Sequence, residues 1–126
     1  MTYKSFEEVP VWQDAIKLTG LVDDFTRENS QPLPYGQRDQ IERASLSVSN
    51  NIAEGFEKQT TPDLAKFSYI AKGSSGEVRS MTYFFATRSY LHPAKDQILA
   101  IRELSATCSK QLGAWIGHLQ KNKLTT

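Results

Sequence analysis

Glu54 and Glu77 are the residues of this sequence best suited to carboxylate chemistry, because glycine and small polar residues flank both of them. A metal centre in a helical bundle also takes carboxylates from two helices, but it needs a Glu-x-x-His motif as well, and the sequence contains none. A structural explanation requires less, since small polar residues let two helices approach closely and hydrogen-bond to each other. The sequence therefore favours a buried polar layer over a reactive site, with these members: Asn50, Asn51, Glu54, Ser74 and Glu77.

A second group of side chains mixes basic and aromatic residues on one strip of a predicted helix. Its members recur at helical spacing and are Tyr69, Lys72, Arg79 and Tyr83, and Arg43 on the preceding helix adds another base. Aromatic rings stack on nucleobases and cationic side chains contact phosphates, whereas tyrosine and arginine are also enriched at protein interfaces. The strip is thus a candidate nucleic-acid contact or subunit interface, with an ordinary solvated surface as the third interpretation.

The cysteine and the two histidines of this chain, residue types that often serve in catalysis or metal binding, do not form a motif with one another. Cys108 falls among apolar residues at helical spacing, as a small core residue does, while His92 and His118 lie near predicted helix ends. The sequence contains no Cys-x-x-Cys pair, phosphate-binding loop, nucleophile elbow or dinucleotide fingerprint. It therefore predicts a protein that is not an enzyme and that uses no metal, cofactor or small-molecule substrate.

The charge of this chain is small overall but unevenly distributed. The formal net charge is +1, yet residues 1–42 contain four basic and eight acidic residues, whereas the remainder contains eleven and six. This asymmetry favours head-to-tail packing of copies, or one basic face for a polyanion. No apolar run approaches the roughly 18 residues that span a bilayer, and the N-terminal pattern is not that of a secretory signal. We therefore expect a cytoplasmic protein without membrane contact.

Four segments of the chain have the three- and four-residue apolar period of amphipathic helices. Pro10, Pro62 and Pro93 suit the first turn of a helix, and the segment 29–36, with two prolines and a glycine, cannot continue one. These patterns predict one domain, 1–126, with an all-α fold, an antiparallel up-down-up-down four-helix bundle. Its helices are expected at about 10–28, 37–57, 62–91 and 93–121.

Two glycines in the middle of the third predicted helix leave one alternative open. Gly73 and Gly76 flank two serines, and each glycine costs up to about 1 kcal/mol in a helix relative to alanine. Gly-Ser-Ser-Gly is also typical of a flexible linker. The apolar period continues across it, which favours an unbroken helix over a hinge.

Several short motifs of the chain match those of a known family. They are Val-Trp-Gln-Asp-Ala at 11–15, Tyr-Gly at 35–36, Gln-Ile-Glu-Arg-Ala at 40–44, Ser-Asn-Asn-Ile-Ala-Glu-Gly at 49–55, and the residues 67–71, 73–74 and 77. Over nearly its whole length the chain resembles the four-helix-bundle proteins encoded in intervening sequences of 23S ribosomal RNA genes. One difference is that the family often has two adjacent bases before the alanine that corresponds to Ala44, where this chain has Glu42 and Arg43.

The resemblance implies an assembly and a ligand that the residues alone do not. That family is similar to the accessory variability protein of diversity-generating retroelements, which forms a pentameric ring of bundles and binds nucleic acid. The resemblance therefore implies that this chain forms a homo-oligomer, with five copies (a homopentamer) as the expected size. It also implies RNA or DNA as the candidate ligand. We expect a non-enzymatic accessory protein that self-associates and binds nucleic acid. The alternative is a scaffolding homo-oligomer that contacts proteins only.

Overall fold

Turn and capping residues divide the chain into its helices close to the predicted positions. The computed structural model describes residues 3–125, with side chains up to Lys121, so residues 1, 2 and 126 of the predicted domain lie outside the described part. Within that part the chain forms four α-helices, namely α1 (Pro10–Glu28), α2 (Tyr35–Glu57), α3 (Thr61–Ala86) and α4 (Lys95–Thr125). Two short 3₁₀ helices, Phe6–Glu8 and Ser89–Ala94, precede α1 and α4. The all-α four-helix fold predicted from the sequence is confirmed.

The link between α2 and α3 is short because a side-chain cap starts the third helix. The Thr60 hydroxyl accepts a hydrogen bond from the Asp63 amide at 3.2 Å and donates one to the Asp63 carboxylate at 2.8 Å. Such a cap stabilises a helix by about 1 kcal/mol. Gln59 makes the turn with a φ of 60°, a left-handed conformation that glycine usually adopts after a helix end.

The third helix is shorter than predicted. Its apolar period extends to Leu91, but the α-helix ends at Ala86. Beyond that point the hydroxyl and the backbone amide of Thr87 both donate to the Phe84 carbonyl, at 2.6 and 2.9 Å, so the winding tightens from an α-helical to a three-residue repeat. The predicted end at residue 91 is therefore wrong by five residues.

The fourth α-helix begins later than predicted because the 3₁₀ helix Ser89–Ala94 contains Pro93. Proline lacks an amide hydrogen and keeps the preceding residue out of the α-helical region. The tighter 3₁₀ winding still buries Leu91 and Ala94, so the end of the bundle is closed by apolar side chains. The predicted start at residue 93 is corrected to Lys95.

Each helix packs along the helices that precede and follow it, and α1 also packs along α4. Hydrogen bonds between neighbours join residues in opposite order along the chain. Thr19 of α1 donates to the Ser45 carbonyl of α2 at 3.2 Å, while Thr26, further along α1, donates to the earlier Glu42 carboxylate at 2.6 Å. Adjacent α1 and α2 therefore run antiparallel.

The core lies between the four apolar faces, and aromatic contacts join helices that are not neighbours in sequence. The rings of Phe25 in α1 and Phe85 in α3 are 5.5 Å apart, and both side chains are fully buried. Other apolar residues with no exposed surface are Ala15, Leu18, Ile41, Val48, Ala71, Val78, Cys108 and Leu112. Burial of this apolar surface is the main term that stabilises the bundle.

Glycines within α2 and α3 lie in different environments. A Cβ atom at Gly55 of α2 would lie 3.1 Å from the Phe67 Cβ of α3, so these two helices touch most closely there. By contrast, a Cβ atom at Gly73 or Gly76 would meet nothing within 4 Å. Helix α3 continues through both of these glycines without a break, so the flexible-linker interpretation of this segment is wrong.

Candidate nucleic-acid interface

A basic groove runs between α3 and α4 on the outside of the bundle. Lys72 and Arg79 of α3 and Lys110 of α4 line it together with small residues of α4, and no carboxylate is among the lining residues. The end of the Lys72 side chain lies over α4 at Gly113, where a Cβ atom would be 3.5 Å from the Lys72 Cε. The missing side chain at Gly113 therefore leaves space for Lys72 to lie across the groove.

Arg102 of α4 continues this basic surface toward the α3–α4 connection. Its Nε and Nη2 atoms donate to the Thr82 hydroxyl and carbonyl oxygens at 3.1 and 3.2 Å. Its Cζ atom lies 3.9 Å from the centroid of the Tyr83 ring, which is within the range of a cation–π contact. These three contacts fix the orientation of the guanidinium group at the surface.

We call Lys72, Arg79, Arg102 and Lys110 the basic seam. The ion pairs found among the described residues are Arg27–Asp23 and Arg43–Asp39, both within one helix. No described carboxylate therefore lies within ion-pair distance of a seam residue, and the positive charge of the seam is not neutralised locally. A concentration of unpaired bases on one face attracts polyanions.

Four of the five residues predicted for a nucleic-acid or subunit contact lie beside or within the seam. Lys72 and Arg79 belong to it, and the exposed rings of Tyr69 and Tyr83 flank it. The Tyr69 hydroxyl accepts a hydrogen bond from the Gln120 amide of α4 at 2.7 Å, so this ring also leans toward α4.

Arg43 lies apart from the other four, on the α2–α3 side of the bundle. It donates to the Asp39 carboxylate at 2.9 Å, and both side chains are exposed. It lines a separate shallow cleft with Ser47, Ser74 and Glu77. Its charge is paired within α2, so Arg43 does not extend the basic seam.

Sequence reasoning did not select the two seam residues of α4, Arg102 and Lys110. Both are basic and lie eight residues apart on one helix, which was the only available signal. The rotation of α4 about its axis decides which of the charged residues of α4 face the groove, and the sequence does not specify this rotation. The hydrogen bond from Arg102 to Thr82 shows that Arg102 faces α3.

The predicted buried polar layer between α2 and α3 is wrong for three of its five members. Asn50, Glu54 and Glu77 are exposed, while Asn51 and Ser74 are half-buried. The two half-buried side chains do meet across the helices, since Ser74 and Asn51 each donate to the Ser47 hydroxyl at 2.8 Å. Glu77 accepts from Gln40 at 3.2 Å on the outer side of this contact.

The exposure of the two glutamates has a simple geometric cause. Successive helical residues are rotated by about 100°, so Glu54 points away from the contact that its neighbour Gly55 makes with α3. Likewise, Val78 is fully buried, so its neighbour Glu77 points away from the core. A residue adjacent to a contact position in sequence therefore need not share its environment.

A buried polar cluster does exist, but it joins α3 to α4. The Ser75 hydroxyl donates to the Ser105 carbonyl at 2.7 Å and accepts from the Ser109 hydroxyl at 3.0 Å. Ser75 and Ser105 have no exposed surface. These small, mutually bonded side chains let the helices approach closely under the basic groove, since each buried hydroxyl has a partner.

The remaining candidates for chemistry occupy ordinary structural environments. Burial raises the pKa of the Cys108 thiol to about 12, and the nearby Asp14 carboxylate adds to the rise. No group of three or more potential metal-ligating side chains occurs among the residues whose positions are described. None of the helices in the described part is long and apolar enough to cross a membrane.

The sequence profile of the 23S rRNA-intervening sequence proteins matches residues 7–114. The chain belongs to this family. The predicted family membership is thus confirmed, and the match includes all of α1, α2 and α3 and the four residues of the basic seam. The family description names no reaction. No curated protein matches the chain significantly.

Proposed function

We propose that this protein is a non-enzymatic accessory protein that binds RNA through the basic seam. The observation that carries this proposal is the set of four surface bases that have no carboxylate partner within ion-pair distance among the described residues. The resemblance implies RNA or DNA as the ligand, and the description of the family refers to intervening sequences of 23S rRNA. Cationic side chains arranged along one groove suit a phosphate backbone.

Contacts of this kind give affinity without strong sequence preference. Contacts between the basic side chains and phosphates supply the electrostatic part of the binding free energy. Exposed aromatic rings beside the basic side chains stack on bases, and each stacked base contributes about 1–3 kcal/mol to binding. Tyr69 and Tyr83 are 52% and 56% exposed, so both rings are accessible for such stacking. The proposal therefore predicts RNA dissociation constants of about 10⁻⁴–10⁻⁶ M at physiological salt, the range of non-specific nucleic-acid binding.

The test is a fluorescence anisotropy titration with a short, unstructured, labelled RNA at low salt. Lys72→Gln/Lys110→Gln should weaken binding by about tenfold or more, because two phosphate contacts are lost. Lys4→Gln/Lys17→Gln is the matched control, since it removes two exposed lysines that belong to neither α3 nor α4. Absence of RNA binding by the unmodified protein at low salt would refute the proposal.

We also propose that the protein self-associates, with five copies as the size that the resemblance implies. The outer face of α3 supports this proposal because it exposes Ile70 and Phe84 by 42% and 46%. Gly73 between them leaves open space in which a neighbouring helix would fit. An exposed apolar surface of this kind is typical of a contact site between proteins.

Light scattering on the purified protein measures the assembly directly. Ile70→Glu/Phe84→Glu should reduce the mass to that of one chain, because the substitutions place charge on the apolar face. Ile16→Glu, at an exposed position of α1, is the control and should leave the mass unchanged. A single-chain mass for the unmodified protein at tens of micromolar would contradict self-association.

The alternative function, a scaffolding homo-oligomer that contacts proteins only, is favoured by the charge asymmetry. Residues 1–42 contain eight acidic and four basic residues, so this half of a second copy complements the basic seam. In that case the seam is covered by protein, and raising the salt concentration dissociates the assembly. If RNA bound to the assembly and the mass of the protein assembly did not change, this alternative would be excluded.

A further inference from the structure

We propose that the basic seam ends in a pocket that holds one unpaired nucleotide of the RNA. This inference rests on the proposed function and specifies its ligand as single-stranded RNA. The pocket lies where the end of α3, the 3₁₀ helix Ser89–Ala94 and the start of α4 meet, and its volume is about 260 Å³. It is separate from the groove between Lys72 and Lys110, and Arg102 lies between the two.

The inner wall of the pocket is apolar. Phe85, Leu91 and Ile98 line it, and none of these side chains is more than 3% exposed. Leu99 forms the rim and is 46% exposed. A flat, uncharged ring such as a nucleobase would pack against this wall and remove the exposed surface of Leu99 from water, which stabilises the bound state.

The mouth of the pocket is basic and contains one arginine whose position is already fixed. Arg102 lines the pocket with Lys95 and His92, against the single carboxylate of Asp96. Thr82 occupies the Nε and Nη2 atoms of Arg102, and Tyr83 covers one face of its guanidinium group. A ligand would approach the opposite face of the group and its Nη1 edge, since guanidinium planes stack on unpaired bases while their edges bind phosphate.

These two parts of the pocket together select the ligand class. A purely apolar ligand would leave the cationic groups at the mouth without a partner, and a small inorganic anion would leave the Leu99 rim exposed to water. A nucleotide has a flat base and an anionic phosphate joined by a short sugar, so it satisfies both parts. The base must be unpaired, because a base stacked inside a duplex cannot enter a pocket.

The pocket also lies in line with the seam, so that one strand can reach both. Thr82, which accepts from and orients Arg102, donates from its hydroxyl to the carbonyl of Arg79 at 2.6 Å, one turn earlier in α3. From Lys110 to Lys95 the axis of α4 extends by about 22 Å at about 1.5 Å per residue. A strand that follows the seam therefore passes the mouth of the pocket at one end.

The experiment compares binding of one labelled RNA as a single strand and as a duplex with its complement, by fluorescence anisotropy. The unmodified protein should bind the single strand about tenfold more tightly, the effect of one stacked base. Ala86→Phe fills the pocket from an exposed position at the end of α3 and should reduce this preference while leaving duplex binding unchanged, because stacking on Tyr69 and Tyr83 is retained. Ala114→Phe, an exposed alanine near the other end of α4, is the matched control.

A second substitution, Leu99→Asn, removes apolar surface from the rim without adding bulk and should reduce the preference in the same direction. Circular dichroism melting curves check that each variant is folded. Equal binding of single strand and duplex by the unmodified protein would overturn both the pocket and the base stacking on Tyr69 and Tyr83, while the phosphate contacts of the seam stand. A preference that both pocket variants retain in full would overturn the pocket alone, whereas no binding of either RNA would overturn both proposals.

Discussion

Replacing Lys110 by glutamine should lower the salt dependence of RNA binding by one quarter. The seam has four bases, and a single-stranded nucleic acid loses about 0.7 units of slope in log K against log salt for each neutralised phosphate. The expected slopes are therefore about −2.8 for the unmodified protein and about −2.1 for the variant. Between about 50 and about 200 mM salt, affinity should fall about 50-fold and about 18-fold, respectively.

Lys110 is the best seam residue for this measurement because it is exposed at the surface of α4, so its loss removes charge and not packing. The assay is a series of anisotropy titrations over that salt range with one short, unstructured RNA. Lys17→Gln, at an exposed position of α1, is the matched control and should leave the slope unchanged. It removes the same charge from the protein as a whole.

Two results would contradict the electrostatic reasoning. If Lys17→Gln lowered the slope as much as Lys110→Gln, overall charge and not the seam would govern binding. If the affinity of the unmodified protein did not change with salt, phosphate contacts would not be the basis of binding at all, since counterion release is unavoidable when bases neutralise phosphates.

Further substitutions test the electrostatics and the packing. Glu103→Gln, which removes an exposed carboxylate two turns from Lys110 on the same face of α4, should tighten RNA binding by about twofold to threefold in the same anisotropy assay. Gly55→Ala should destabilise the fold by about 1 kcal/mol in urea unfolding, because the added methyl group crowds Phe67, and Gly73→Ala, in open space, should stabilise it by up to about 1 kcal/mol. Burial raises the pKa of Cys108 to about 12, so the stability that its protonated form contributes is fully present below the unfolded pKa near 9 and is lost as pH rises toward 12. The free energy of unfolding should therefore fall between pH 7 and pH 10 by about 1.4 kcal/mol less in Cys108→Ala than in the unmodified protein. An equal decrease in the two proteins would contradict this explanation.

The helices of this protein follow from local chemistry, and the sequence predicts them well. Proline in the first turn and the Thr60 cap act within a few residues, so α1 and the start of α3 lie within one residue of their predicted positions. The end of α3 was less predictable. The apolar period continues into the 3₁₀ helix because Leu91 is buried there too, so the period alone does not distinguish the two windings.

The sequence also predicts the residues that α3 contributes to the candidate site, but it does not predict which residues of α4 lie beside them. Helical spacing alone groups Tyr69, Lys72, Arg79 and Tyr83, because residues on one face of one helix are related by a fixed rotation. The partners of that face belong to α4, which is distant in sequence, and Arg102 and Lys110 were not selected. Likewise, the sequence indicated a polar cluster at mid-helix but could not assign it to the α3–α4 contact.

What the sequence determines by itself is the set of helices, the apolar face of each and the excess of positive charge after residue 42. Only the tertiary structure decides which polar faces meet, because that depends on the rotation and the depth at which each helix packs. Small residues set those quantities here, with Gly55 at the α2–α3 contact and Ser75 at the α3–α4 contact. The same close packing of α3 on α4 aligns the four bases of the seam, whereas Glu54 and Glu77 are exposed because each is rotated by about 100° from a neighbouring residue that makes a buried contact.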